Sequence, residues 1–244
     1  MSNNEFSPFE ENKITGVETP EVFPLAVKRC PVVIILDTSS SMTNNNKIKE
    51  LNDGVRILKE ALDEDETASS SVDIAIIEMG GQKATLSQEF IQLEDWKANH
   101  DYQANGITPM KEAIEIAIEQ IQKRKEIYDK EGVSYYRPLL MILSDGVPTD
   151  KNGRFDSNWK EFSDKLNDLK SNKKVVSYTF FIGQENDIEA KEIMKELASV
   201  VDGSVLSYKL TQKETIKNIF LWLSSSIKII VSNKNDDSLE AKLF

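Results

Sequence analysis

The chain has 244 residues and a formal net charge of −11, from 41 acidic and 30 basic side chains, and 39% of its residues are hydrophobic. That apolar content suffices for a packed core at a length between one large α/β domain and two small ones, which excludes disorder throughout. The negative charge repels phosphate backbones and anionic membrane surfaces at long range, leaving cations, basic surfaces or neutral surfaces as the expected partners.

A single cysteine, Cys30, cannot close an intramolecular disulfide. A single histidine, His100, removes every two-histidine metal site and most catalytic triads. No window approaches about 18 consecutive apolar residues and no basic segment precedes an apolar leader, so the expectation is a cytoplasmic protein without a membrane span.

Residues 1–29 are polar and punctuated by Pro8, Pro20 and Pro24, and read as an N-terminal arm. Residues 32–36 (VVIIL) form an apolar, β-branched run that stops at Asp37, the pattern of a strand covered on both faces. From Ile48, the apolar residues Leu51, Val55, Leu58 and Leu62 recur three and four apart, which predicts a helix. The run Asp63-Glu64-Asp65-Glu66 reads as its solvated end. Residues 72–79 predict a strand, and Gly80-Gly81 turn the chain into a weaker alternating segment over 84–90, as expected for an antiparallel edge strand.

Met110, Ala113, Ile114, Ala117, Ile118 and Ile121 make a second helical stripe, with Thr108 placed to N-cap it and Pro109 at its first position. Residues 139–143 are again wholly apolar and end in Ser144-Asp145. A helix follows from Trp159 to Leu169, a strand from Val175 to Ile182, a helix from Ile193 to Val201, a strand from Val205 to Tyr208, and a last helix from Ile216 to Ile227. In that helix Phe220, Leu221 and Trp222 read as core, except for any residue outside the apolar stripe. Residues 232–244 read as a tail. Residues 30–231 therefore form one α/β domain, a doubly wound and mostly parallel six-stranded sheet with one antiparallel edge strand and helices on both faces.

In such a sheet the ligand crevice lies at the carboxyl ends of the strands, where the winding reverses. The loops there read DTSSSM over 37–42 and SDGVPTD over 144–150. Two carboxylates at the ends of adjacent buried strands repel each other and lose hydration unless a cation or hydrogen-bond donors compensate them. Alternate residues of an extended stretch point the same way, so Asp37, Ser39 and Ser41 present one carboxylate and two hydroxyls to a common point. Thr108 can add a hydroxyl, and Asp145 can act directly or through water. Hard oxygen ligands with few charges favour magnesium or manganese. Each piece also has a purely structural reading, as turn or cap chemistry.

This conjunction resembles the von Willebrand factor A family, whose metal-ion-dependent adhesion site is written D-x-S-x-S, then a threonine, then an aspartate in a D-G turn. Asp37, Ser39 and Ser41 match the first element, Thr108 in NGITPM the second and Asp145 in LLMILSDGVPTD the third. The similarity runs in order from about Pro31 to Ile229. It implies a sheet order of 3-2-1-4-5-6 and a divalent cation, Mg2+ or Mn2+, with one position left for an Asp or Glu carboxylate of a protein partner. Glycine is common in that family where Ser40 stands, so a left-handed backbone there would strain Ser40. LLMILSDGVPTD and IFLWLSSSIKIIVS further resemble the bacterial TerY-type branch, associated with tellurium resistance and stress response and encoded beside a protein kinase and a metal-dependent protein phosphatase.

Two other readings stay open. A metal with free positions could activate water for phosphoester hydrolysis, but the site offers two acids and no evident general base, and His100 sits in a polar loop. The fold could also serve as a scaffold that binds through its acidic surface without metal. The expectation is a non-enzymatic, metal-dependent interaction module.

Overall fold

The structure is a computed structural model and describes residues 27–201, 203–210 and 215–232. Most of the expected N-terminal arm and all of the tail but Ser232 lie outside the described residues.

Strand β1 (Cys30–Asp37) is buried at all eight positions because it has a parallel neighbour on each side and helices over both faces. A 3-10 segment over Ser40–Asn46, broken by an extended Asn44 and a left-handed Asn45, leads into α1 (Lys47–Asp63). The acidic run that follows hides a short helix, α2 (Glu66–Ser71), which the sequence pattern missed; the Asp65 carboxylate accepts the Ala68 amide at 2.9 Å and caps it. Next come β2 (Val72–Met79), β3 (Thr85–Gln92) and α3 (Met110–Glu131). After β4 (Leu139–Ser144), α4 (Trp159–Ser171) and β5 (Val176–Phe181) the chain forms α5 (Ile188–Leu197). Helix α5 stops before the predicted end at Val201, because Ala198 is extended and Val200–Val201 form β6, paired with β7 (Ser204–Val205). Strand β8 (Ser207–Lys209) and α6 (Ile216–Ser232) complete the fold.

The six-stranded sheet runs β3-β2-β1-β4-β5-β8, parallel except for β3 at the edge, as expected. Successive side chains of a strand point to opposite faces. Val32, Ile34 and Leu36 thus enter a core with α1 and α6, while Val33 and Ile35 enter a second core with α3, α4 and α5. This two-sided burial is why β1 and β4 read as unbroken apolar runs. Gly54 lets α1 approach α6: a methyl group there would stand 2.2 Å from the Phe220 ring. Phe220 is buried, and Leu221, on the outer side of α6, is 46% exposed.

The sheet order reverses direction between β1 and β4, so the residues following these two strands share one crevice. At the other end of the sheet, Asp73 is fully buried and bonded by the guanidinium groups of Arg29 and Arg124 and by the Tyr128 hydroxyl. Burial and the Asp73 charge push the nearby Cys30 thiol up to about 12, so it stays protonated.

Candidate functional site

Asp37 ends β1 and Asp145 follows β4, and the structure joins them through hydroxyls. Asp37 Oδ2 accepts from Ser144 Oγ at 2.5 Å, and Asp37 Oδ1 accepts from the Ser39 amide at 2.9 Å. Ser39 Oγ and Ser41 Oγ lie 2.9 Å apart, and Ser41 Oγ donates to Asp145 Oδ1 at 2.6 Å. Ser41 reaches this position from the 3-10 turn, whereas the sequence reading assumed extended backbone through residue 41. Ser40 is not among the residues with positive φ, so the serine in place of a glycine is unstrained.

Three loops lock together around this point. The Ser40 amide donates to the Gly106 carbonyl at 3.1 Å, the Asn105 amide to the Thr38 carbonyl at 2.8 Å and the Ile107 amide to the Gly81 carbonyl at 2.8 Å. Gly106 has φ +70°, and a Cβ there would lie 1.9 Å from the Gly81 carbonyl oxygen, so the crossing requires glycine. Thr108 is buried two residues on; its amide donates to Thr149 Oγ1 at 2.8 Å and its carbonyl accepts from the Thr149 amide at 2.9 Å. The Thr108 loop is therefore tied to both the serine loop and the loop after Asp145. Thr108 does not cap α3: Pro109, with ψ 62°, occupies the cap position, and no side-chain cap bond forms. Thr149 and Ser144 are support groups that the motif reading left out, although both stand inside its quoted segments.

Lys47 was also missed. Its Nζ lies 2.5 Å from Asp145 Oδ2, with the lysine side chain 17% and the aspartate side chain 1% exposed. It extends from the first position of α1, where a charge pattern alone suggests only a solvated side chain. His100 is half-exposed and pairs with Glu78 at 3.0 Å, with no contact to either site aspartate.

The electrostatics differ sharply between the two aspartates. Asp145 has the Lys47 ammonium. Asp37 is fully buried, and no cationic group among the described residues bonds it. Burial first, and then the facing Asp145 carboxylate, push the Asp37 carboxyl up to about 6 against the hydrogen bonds from Ser144 and Ser39. Two facing carboxylates with one lysine leave an uncompensated negative charge.

A hard divalent cation fits this donor set. The oxygens at hand are two carboxylates and the neutral hydroxyls of Ser39 and Ser41. In a magnesium octahedron with bonds of about 2.1 Å, oxygens on adjacent vertices lie about 3.0 Å apart, close to the 2.9 Å between Ser39 Oγ and Ser41 Oγ. No group of three or more acidic, histidine or cysteine side chains suited to a metal occurs among the described residues. A cation here would depend on the hydroxyls. Ser40 and Ser41 are exposed, so the arrangement has an open side. A cleft of about 660 Å3 lies beside it, lined by Lys47, Asn45, Glu50, Gln184 and Lys209.

The model of the von Willebrand factor type A domain matches residues 32–221. Among curated proteins, none matches the chain significantly. Among solved structures, the fold is similar to the pilus adhesin SpaC from Lactobacillus rhamnosus GG in its open conformation, with TM-score 0.63 and 12% identity over 83% of this chain and 30% of that one. It is similar to the SpRpn10 VWA domain, with TM-score 0.53 and 13% identity over 81% of this chain and 95% of that one. It is also similar to proximal thread matrix protein 1 from the mussel byssus with a zinc-occupied MIDAS motif, with TM-score 0.53 and 17% identity over 84% of this chain and 46% of that one. This chain thus spans less than half of the adhesin and of the byssus protein, and at these identities the likeness establishes the fold alone.

Proposed function

The chain belongs to the von Willebrand factor type A domain family, and on that premise we propose that it is a non-enzymatic interaction module that captures a carboxylate of a protein partner through a divalent cation. The observation that carries this reading is Asp37: a fully buried carboxylate to which no cationic side chain among the described residues is bonded, facing a second carboxylate and two hydroxyls on an open side. Asp37, Ser39 and Ser41 would hold the cation, with Thr108 and Asp145 as direct or water-bridged ligands. Mg2+ suits these hard oxygens best, and Mn2+ next. When bound, the cation supplies an electrophilic centre for an Asp or Glu side chain.

The chain's own residues do the rest. Ser144 and the Ser39 amide hold the Asp37 carboxylate in one orientation. The Gly106 crossing and the Thr108–Thr149 pair fix the three loops relative to one another. With Asp37 as the direct anionic ligand and hydroxyls as neutral ones, a cation would stay short of negative charge, which favours an anionic group from outside. The zinc-occupied motif of the byssus protein supports metal binding by such a fold. His100, the one histidine of the sequence, pairs with Glu78 rather than with a site aspartate, so hydrolysis would lack an imidazole base.

The TerY-like phrasing of residues 139–150 and 219–232 supports a bacterial stress-response setting, with a kinase or phosphatase as partner and the cytoplasm as compartment. No described helix is long and apolar enough to cross a membrane. Residues 30–231 as the interaction domain, with 1–29 and 232–244 as appendages, complete the reading.

The test is partner capture on immobilised protein in Mg2+ and in chelator, with Asp37→Ala alongside. A partner retained only by the parent and only with Mg2+ supports the reading. A partner retained equally in chelator and by Asp37→Ala favours the metal-independent scaffold.

A further inference from the structure

Three features at the start of α1 are unfavourable when considered locally. Asn45 and Asn46 are consecutive non-glycine residues in the left-handed region, with φ 53° and 59°. Asn46 is the N-cap residue, yet its side chain makes no capping hydrogen bond. The first helical residue is a lysine, which places a positive charge at the positive end of the helix dipole, where acids are favoured. Local rules broken together at one point mark a position under another demand.

Here that demand is the position of one ammonium. Helical side chains lean toward the N-terminus, so a lysine at the first position reaches back over the preceding loop. The turn through Asn45 and Asn46 sets Lys47 Nζ 2.5 Å from Asp145 Oδ2, while Asp145 Oδ1 accepts from Ser41. Both oxygens of Asp145 are thus engaged by the chain itself. Asp37, which faces the same space, has hydrogen-bond donors but no such charge partner among the described residues.

We infer that Lys47 is the fixed counter-cation of Asp145, and that it tunes the site by weakening cation binding while keeping Asp145 out of direct coordination. The inference rests on the proposed cation-binding role of Asp37, Ser39 and Ser41. Lys47 neutralises the second carboxylate, so the charge left to hold a cation is mainly that of Asp37. The site gives up affinity for the metal and keeps the metal short of negative charge, which strengthens its attraction for a partner's carboxylate. Lys47 acts through Asp145 and is a positioning residue.

The experiment compares Mg2+ and Mn2+ binding by calorimetry in the parent, Lys47→Met and Lys49→Met, all stripped with chelator. Methionine keeps the apolar stem of Lys47, and Lys49→Met removes the same charge from an exposed position two residues on, without an Asp145 contact. Melting of each protein in chelator and in Mg2+ gives a second readout. The expected result is binding to Lys47→Met about tenfold tighter than to the parent, with Lys49→Met within about twofold of it. Lys47→Met should also melt lower than the parent in chelator and gain more from Mg2+. Equal or weaker metal binding by Lys47→Met overturns the role of Lys47 and leaves the cation site standing. An equal gain in both lysine variants reduces the effect to net charge and overturns it as well. If none of the three proteins binds either metal, the cation reading fails and the inference falls with it.

Discussion

Asp37 and Asp73 are buried carboxylates on neighbouring parallel strands, and the chain treats them in opposite ways. Asp73 pairs with Pro31 at the start of β1, and Asp37 pairs with Met79 at the end of β2, six residues further along and about 20 Å away. Asp73 is bonded by two guanidinium groups and a phenol, whereas Asp37 has a hydroxyl and an amide but no bonded cation among the described residues. The protein therefore can place charge partners in its core, and among the described residues it gives Asp37 none.

Asp37→Asn should stabilise the metal-free protein while abolishing metal binding. The amide keeps the acceptor for Ser39 or Ser144 and removes a buried charge that faces Asp145. Denaturant unfolding in chelator at pH 8 should show a gain of up to about 2–3 kcal/mol, the worth of moving a carboxyl from its ordinary 3.8 to about 6. An unchanged or reduced stability would show that the Asp37 charge is compensated.

The same shift sets a pH dependence. With the folded Asp37 carboxyl raised to about 6 and the unfolded one near 3.8, the folded protein keeps a proton between these values that the unfolded chain has lost. The contribution of Asp37 to stability is thus fully present below about pH 4 and lost as pH rises through about 6. In chelator, the stability difference between Asp37→Asn and the parent should widen from pH 4 to pH 6.5 and then level off. Mg2+ affinity should fall as pH drops below about 6, because the proton and the cation compete for one carboxylate.

Arg124→Met should act in the other direction. It removes one of the guanidinium groups on Asp73 and leaves a buried carboxylate with less compensation. A loss of about 3–5 kcal/mol is expected from thermal or denaturant unfolding, with Mg2+ affinity unchanged in the protein that remains folded.

Gly106→Ala tests the loop crossing. The methyl group would meet the Gly81 backbone at 1.9 Å and would need a left-handed backbone. We expect a loss of about 1–3 kcal/mol and a weaker metal site, since the serine and threonine loops are joined there. Calorimetry and melting on the same variant read both effects.

Much of the fold was legible because β1 and β4 are covered on both faces, which forces unbroken apolar runs, and because α1, α3 and α6 bury one stripe each. The short helix α2 was not, since its sequence ETASSS has one buried alanine and no stripe. The end of α5 was misplaced because Val200 and Val201 continue an apolar pattern that the β6–β7 pair uses instead. At the site, Asp37, Ser39, Ser41 and Asp145 could be named from strand ends, and they do converge. Thr108 could be named as well, but its capping role failed because Pro109 intervenes. Lys47 stayed hidden because a lysine at a helix start carries no signal until the fold brings it to a residue 98 positions away.

The most direct test of the central claim is calorimetric titration of chelator-stripped protein with Mg2+ and with Mn2+, beside an Asp37→Ala variant shown by circular dichroism to be folded. The account predicts saturable binding of one cation per parent chain and none to the variant. Saturable binding that survives in Asp37→Ala, or no binding of either metal to the parent, would contradict it.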